Sequence, residues 1–409
     1  MTTNELRQAL PRFQQFIQRL TPLLGEDSRP ARAEAYLRGL LLDAEDNKTA
    51  EGIALKVHGD VSQVRMTQVF LSQSPWLDEP LRQDLAGWVD AELGSDDGIL
   101  IIDESSFLKC GDKSVGVARQ YLGCVGKVAN GQVAVYLAYA SRHGHTLLDT
   151  RLYLPEEEWC NDPARRAEAG VPEEVVFRTK PELALELVCQ RRRQLRHRWV
   201  TFDEAYGRNP GFLSGLEELG ERYLGEVPKD TRGWLQRPAV ETPVAGRKGR
   251  PASKPRVAAG EPAPQTVETV AAALPASAWK RHKIRDGSKG EQFAEFARVR
   301  FVVERDDLPG PELWLLLERS CDQQSPLKYY LSNAATDCPL REMIRVAHSR
   351  WTVEDCFLRG KDEIGLDEYE VRGWRGWHHH MTLAMLALWF LVLEQRRLGG
   401  KIGRDADVA

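Results

Sequence analysis

Ile99-Leu100-Ile101-Ile102-Asp103-Glu104-Ser105-Ser106 is the stretch whose reading decides the fold. An apolar run of β-formers with no polar alternation suits a strand covered on both faces. The run is read as stopping at Asp103, which puts a carboxylate at the end of a buried strand. Working outward, residues 120–125, 132–138 and 145–154 read as further strands of an antiparallel meander, with Asn130-Gly131 marking a hairpin turn. Residues 181–193 read as a helix that ends in the densely basic Arg191-Arg192-Arg193-Gln194-Leu195-Arg196-His197-Arg198. Trp199-Val200-Thr201-Phe202 is again a short strand that delivers acids, Asp203 and Glu204, to a turn. A helix at 212–219 and a strand at 223–227 follow, so this region alternates strand and helix as a mixed α/β sheet does.

Upstream, residues 1–92 read as a helical domain. Leu6, Leu10, Phe13, Phe16, Ile17 and Leu20 recur at three- and four-residue steps, and a second helix is expected at 33–42. Residues 49–57 and 61–70, broken at Gly59, fit a helix-turn-helix that would place its second helix in a DNA groove, although any helical bundle gives the same pattern. The whole chain has 409 residues, 42% apolar and 28% charged, the composition of a globular protein with room for two or three domains. No apolar run reaches about 18 residues and no signal-peptide pattern opens the chain, so no membrane partner and a cytoplasmic location are expected. The seven cysteines are scattered and never form Cys-x-x-Cys, which argues against a zinc site or a disulfide framework. A net charge of -4 conceals local basic concentrations.

Downstream, residues 228–335 read as a β-containing insertion with strands near 297–303, 313–317 and 327–331. From 237 to 290 there are 11 Lys and Arg against four Asp and Glu, a net of +7. Lys248 and Arg250 lie in a Pro/Gly-rich basic loop that suits either a solvated linker or phosphate contact. Residues 336–409 return to the core. Pro339 in a first turn opens one helix, on which Val346, Val353, Phe357 and Ile364 line up beside Arg350, Glu354 and Lys361. Spacing alone favours an ordinary solvated charged face. Gly360 places Lys361 on the last turn or just beyond, and a closing helix at 376–395 covers the sheet. His378, His379 and His380 point in different directions on that helix, so they are not read as sharing a metal.

Asp103 and Asp203 after strands and Glu354 on a helix are three carboxylates on separate elements. Such a set can hold two Mg²⁺ ions for in-line phosphoryl displacement, because Mg²⁺ takes oxygen ligands and keeps several waters. In this order they resemble the ribonuclease H-like DDE transposases of bacterial insertion sequences. Arg350-x3-Glu354-x6-Lys361 is similar to the Tyr-Arg-Glu-Lys signature of one branch. Residues 114–121, Gly123-x2-Gly126-Lys127, residues 132–135, residues 70–76 and Trp374-Arg375-Gly376-Trp377-His378 resemble the insertion sequence 701 group. The similarity runs from about residue 35 to 395. Two departures stand out: Ala347 occupies the place of the signature's Tyr, and Glu204 beside Asp203 offers a second acid.

The resemblance implies a ribonuclease H-like α/β core interrupted by the insertion, which explains the 354 − 203 = 151 residue gap between the second and third acids. It implies a DNA transposase in which Asp103, Asp203 and Glu354 bind two Mg²⁺ ions, with Mn²⁺ able to substitute. Phosphodiester bonds at insertion-sequence ends would be cut and the freed 3′-OH joined to target DNA. Arg350 and Lys361 would hold phosphates and Trp351 would offer a stacking surface. The partners would be double-stranded DNA, both transposon ends and target, and a second copy of the chain in the DNA complex. A DNA-binding protein without chemistry, or a metal-dependent endonuclease without strand transfer, are the alternatives.

Overall fold

The computed structural model describes residues 3–25, 28–42, 47–242, 254–287, 290–321 and 325–399. Two compact units emerge: the chain up to His197 together with the chain from Trp351 onward, and Arg198–Arg350.

The first unit opens with five helices, α1 (Thr3–Leu24), α2 (Ser28–Leu41), α3 (Ala50–His58), α4 (Ser62–Ser72) and α5 (Asp78–Leu93). Thr49 caps α3 by accepting from the Gly52 amide at 3.1 Å, and the chain turns at Gly59 into α4. The two expected helices and the break at Gly59 are therefore present. The sheet follows: β1 (Ile99–Leu108), β2 (Ala118–Leu122), β3 (Lys127–Ser141) and β4 (Gly144–Leu152), then α6 (Pro163–Ala169) and α7 (Lys180–Arg191). Strand β3 is the spine, antiparallel to β1 on one edge and to β4 and β2 in succession on the other.

Two expectations are corrected here. Strand β1 does not stop at Asp103 but runs on to Leu108, so Asp103 sits mid-strand opposite Tyr136. Asn130-Gly131 is not a turn: β3 passes straight through it, and the chain reverses at residues 123–126 instead. The Asn130 amide donates to the carbonyls of Lys109 and Gly111 at 2.8 and 2.7 Å, and so anchors the segment beyond β1. A Cβ on Gly131 would lie 2.4 Å from the Phe107 carbonyl oxygen, so the glycine serves close strand approach and not a turn.

The second unit holds β5 (Trp199–Phe202), α8 (Glu204–Gly207), α9 (Pro210–Glu218), β6 (Leu224–Glu226), β7 (Arg232–Trp234), β8 (Val240–Glu241), β9 (Arg256–Val257), β10 (Gln265–Thr266), α10 (Val267–Ala273), β11 (Lys280–Gly287), β12 (Gly290–Arg305), β13 (Leu308–Ser320), β14 (Lys328–Ser332) and α11 (Leu340–Ala347). Seven strands form one sheet in the order β10-β7-β12-β13-β14-β6, with β11 on β12. Its β6 end meets β5 in a parallel bridge between Val200 and Tyr223. Phe301, Leu313, Leu315, Leu317 and Leu331 pack from the sheet onto Val267 and Val270 of α10. The three strands expected in the insertion are present; β12 and β13 extend well beyond their apolar cores, and β14 is shifted by one residue.

The single helix expected after Pro339 is two. Helix α11 ends at Ala347, residues 348–350 form a turn, and α12 (Trp351–Arg359) starts afresh in the first unit. A wide π-turn, Gly360–Ile364, closes α12 and carries Lys361. Helix α13 (Trp374–Arg397) packs against β4, α2, α4 and α5, and its buried run through Met381, Leu383, Met385, Leu386 and Trp389 is the centre of the unit. Two of its three consecutive histidines tie it in place, while His378 bonds back to the Trp374 carbonyl of the same helix. His379 reaches the Leu71 and Trp76 carbonyls, and His380 reaches the Tyr36 hydroxyl and the Leu366 carbonyl. Burial pushes His379 down to about 4, against the two carbonyl bonds that raise it, and His380 to about 3.

Candidate active site

In the first unit β1 carries Asp103 on the sheet face that α12, with Glu354, covers, and the π-turn after α12 brings Lys361 to the same face farther along β1. Asp103 is 8% exposed, and its Oδ1 accepts from the Glu104 amide at 2.7 Å. Residues directly opposite in an antiparallel pair share a face, so Asp103 points the same way as Tyr136. The Tyr136 ring meets Phe357 of α12 edge to face at 5.2 Å, which identifies this as the face that α12 covers. Glu354 stands one helical turn before Phe357 and is exposed. Phe107, two alternations along β1 from Asp103, also points to this face, and the Lys361 Nζ lies 5.6 Å from its ring centroid.

The neighbouring acids have other engagements. Asp355 meets His145 Nε2 at 2.8 Å, and that contact holds its carboxyl below the usual range. Glu363 pairs with Arg359 at 3.2 Å, and Glu104, on the opposite face of β1, pairs with Lys180 at 2.9 Å. Trp351 is half-buried with its ring edge-on to His145 at 5.7 Å.

In the second unit Asp203 is the N-cap of α8, its Oδ1 accepting from the Ala205 and Tyr206 amides at 3.0 and 3.4 Å. The cap fixes one oxygen toward the helix N-terminus. Glu204 is exposed and pairs with Arg208 at 2.8 Å. Glu226, at the end of β6, was not singled out from the sequence. Burial raises its carboxyl above the usual range, the cations Lys328 and Arg350 pull it back, and Asp203 and Glu204 raise it further. Asp203, Glu204, Glu226 and Arg350 therefore share one electrostatic neighbourhood. The only hint in the sequence was a carboxylate near the end of the strand expected at residues 223–227.

Arg350 lies in the turn before α12, half-buried, so Arg350, Glu354 and Lys361 are not one helical stripe. Ala347 ends α11. Lys248 and Arg250 lie outside the described residues. Among the described residues no group of three or more His, Cys, Asp or Glu side chains stands ready to hold a metal ion. The donor chemistry of Asp103 and Glu354, all oxygen and one of them exposed on a helix, fits a hard divalent cation that retains water.

The chain is a member of the DDE superfamily endonuclease family, whose model matches residues 19–291. Over 201 residues it is 34% identical to the "Probable transposase for insertion sequence element IS701" of Microchaete diplosiphon, an alignment covering 48% of this chain and 49% of that protein. The chain thus spans about half the length of the curated relative it matches. Among solved structures, the piggyBac transposase synaptic complex with hairpin DNA aligns at 11% identity and a TM-score of 0.37, covering 74% of this chain and 49% of that one. The NurA nuclease from Sulfolobus solfataricus aligns at 11% identity and a TM-score of 0.27, covering 66% and 79%.

Proposed function

We propose that this protein is a transposase that cuts DNA at the ends of an insertion sequence and joins the freed 3′-OH to a target, using Asp103, Asp203 and Glu354 to hold two Mg²⁺ ions. The observation that carries the reading is the placement of Asp103 on the sheet face that the Glu354-bearing helix covers, in a chain of the DDE endonuclease family. Bound there, divalent ions would polarise the scissile phosphodiester and favour attack by water and then by the 3′-OH. Asp103, held rigidly in β1, would orient its oxygens. Glu354, exposed on α12, would complete the ligand set as DNA arrives. Lys361 would act as a point charge on a phosphate and Arg350 as a bidentate clamp. The α3–α4 helix-turn-helix supports recognition of the DNA ends, and joining two ends requires at least a homodimer in the complex.

The test is cleavage and joining of the DNA flanking this gene, with Mg²⁺ or Mn²⁺. The wild type should yield both nicked and joined products. Glu354→Ala should abolish cleavage while leaving end binding within a few-fold of wild type. Salt-sensitive binding without nicking by the wild type would favour a DNA-binding protein without chemistry, and nicking without joined products would favour an endonuclease.

A further inference from the structure

Glu354 sits on a short helix whose hold on the sheet is made by its neighbours. Ile99, Ala140 and His145 lie directly opposite one another across β1, β3 and β4, and Asp103 and Tyr136 form a second such row four residues along. The even spacing puts both rows on one face, about 13 Å apart. Helix α12 touches this face at both rows. At the first, His145 Nε2 donates to Asp355 Oδ2 at 2.8 Å, and the Trp351 ring stands edge-on to the imidazole at 5.7 Å. At the second, Phe357 meets the Tyr136 ring at 5.2 Å. With about 100° per helical residue, Trp351 and Asp355 lie roughly 60° and 100° to one side of Glu354, and Phe357 lies roughly 60° to the other. Glu354 therefore emerges between two lines of contact. The two differ in kind: ring-on-ring packing tolerates sliding and rotation, whereas a hydrogen bond is directional. His145 is a firm anchor for that bond, 4% exposed on β4. Helix α12 has nine residues and begins afresh after the turn at 348–350. A helix of that length depends on tertiary contacts for its order and its pose.

We propose that His145 is a positioning residue for DNA cutting: by holding Asp355 it fixes the rotation and axial position of α12, and so the direction in which Glu354 is presented. The proposal rests on the DNA-cutting reading and adds to it a residue that is not itself a candidate ligand. Asp355, next to Glu354 in the chain, then serves the site as the helix's attachment point to β4.

The experiment compares the full chain with His145→Gln and His145→Asn. Both replacements are uncharged amides, but the Gln Nε2 falls near the place of the imidazole Nε2 and can donate to Asp355, whereas Asn ends one bond short. Two quantities are read: hydrogen exchange of the backbone amides of residues 351–359 in metal-free protein, and cleavage of an end-bearing duplex as Mn²⁺ is varied. In His145→Asn, exchange in α12 should quicken while β1 and β3 keep their protection. Cleavage at saturating Mn²⁺ should fall about 10- to 100-fold, the Mn²⁺ needed for half-maximal cleavage should rise, and end binding should stay within a few-fold. His145→Gln should stay within a few-fold of wild type on every count. Asp355→Ala removes the acceptor from the partly exposed helix side, should match His145→Asn, and decides the matter if that variant does not fold. Wild-type cleavage and metal requirement in Asp355→Ala or His145→Asn would overturn the positioning role and leave the transposase reading standing. A His145→Gln variant as impaired as His145→Asn would overturn it too, because the bond would not be what matters. If the wild type does not cut at all, both readings fall together.

Discussion

Asp149 shows what a buried carboxylate looks like when its task is structural. It is 0% exposed on β4 and receives Arg82 Nε at 2.8 Å, Arg151 at 3.0 Å and Arg191 Nε at 2.6 Å. Burial alone would push its pKa up; Arg151, Arg82 and Arg191 overcome it and hold the group at about 2. Asp149→Asn would leave arginine charge uncompensated in the interior and should cost roughly 3–5 kcal/mol in denaturant unfolding. The pH dependence has a definite sign. A carboxylate depressed below its unfolded value of about 3.9 contributes its stability above that pH and loses it as the pH falls toward about 2. The Asn variant should show a flatter stability profile over that window. Asp103, by contrast, is buried beside the exposed Glu354-bearing helix, which is why position and not burial separates the candidate ligand from the structural acid.

Secondary structure was legible wherever a run of one residue class was long. Trp199–Phe202 appears with the boundaries expected, and α13 and the insertion's strands lie where apolar runs placed them. The misreadings share a cause: a local signal was answered by a tertiary contact. Asp-Glu-Ser-Ser after four apolar residues looks like a strand end, but the ladder to β3 carries β1 five residues past Asp103. Asn-Gly looks like a turn, but Asn130 bridges to Lys109 and Gly111 and Gly131 admits the Phe107 backbone. Gly131→Ala should therefore destabilise the protein by about 1–3 kcal/mol through overpacking, measurable by thermal unfolding. A change confined to turn propensity would leave the melting temperature almost unmoved. The break at residues 348–350 was hidden for the opposite reason. Nothing in His-Ser-Arg forbids helix, and only the folded chain shows that Val346 and Val353 are both buried on separate helices.

At the scale of the whole molecule, the candidate ligands are drawn from distant parts of the chain: Asp103 and Glu354 belong to the first unit and Asp203 to the second. The position of Asp203 was readable because a short apolar strand running into acids is a local signal. Glu226 was not, because what singles it out is its burial beside Arg350 and Asp203. The measurement that tests the account most directly is a crystal structure of the protein with end DNA and Mn²⁺, read by anomalous scattering. The account predicts two Mn²⁺ peaks about 4 Å apart, with Asp103, Asp203 and Glu354 as ligands. Peaks held by Glu104, Glu204 or Glu226 without Glu354, or Mn²⁺ bound away from Asp103, would contradict it.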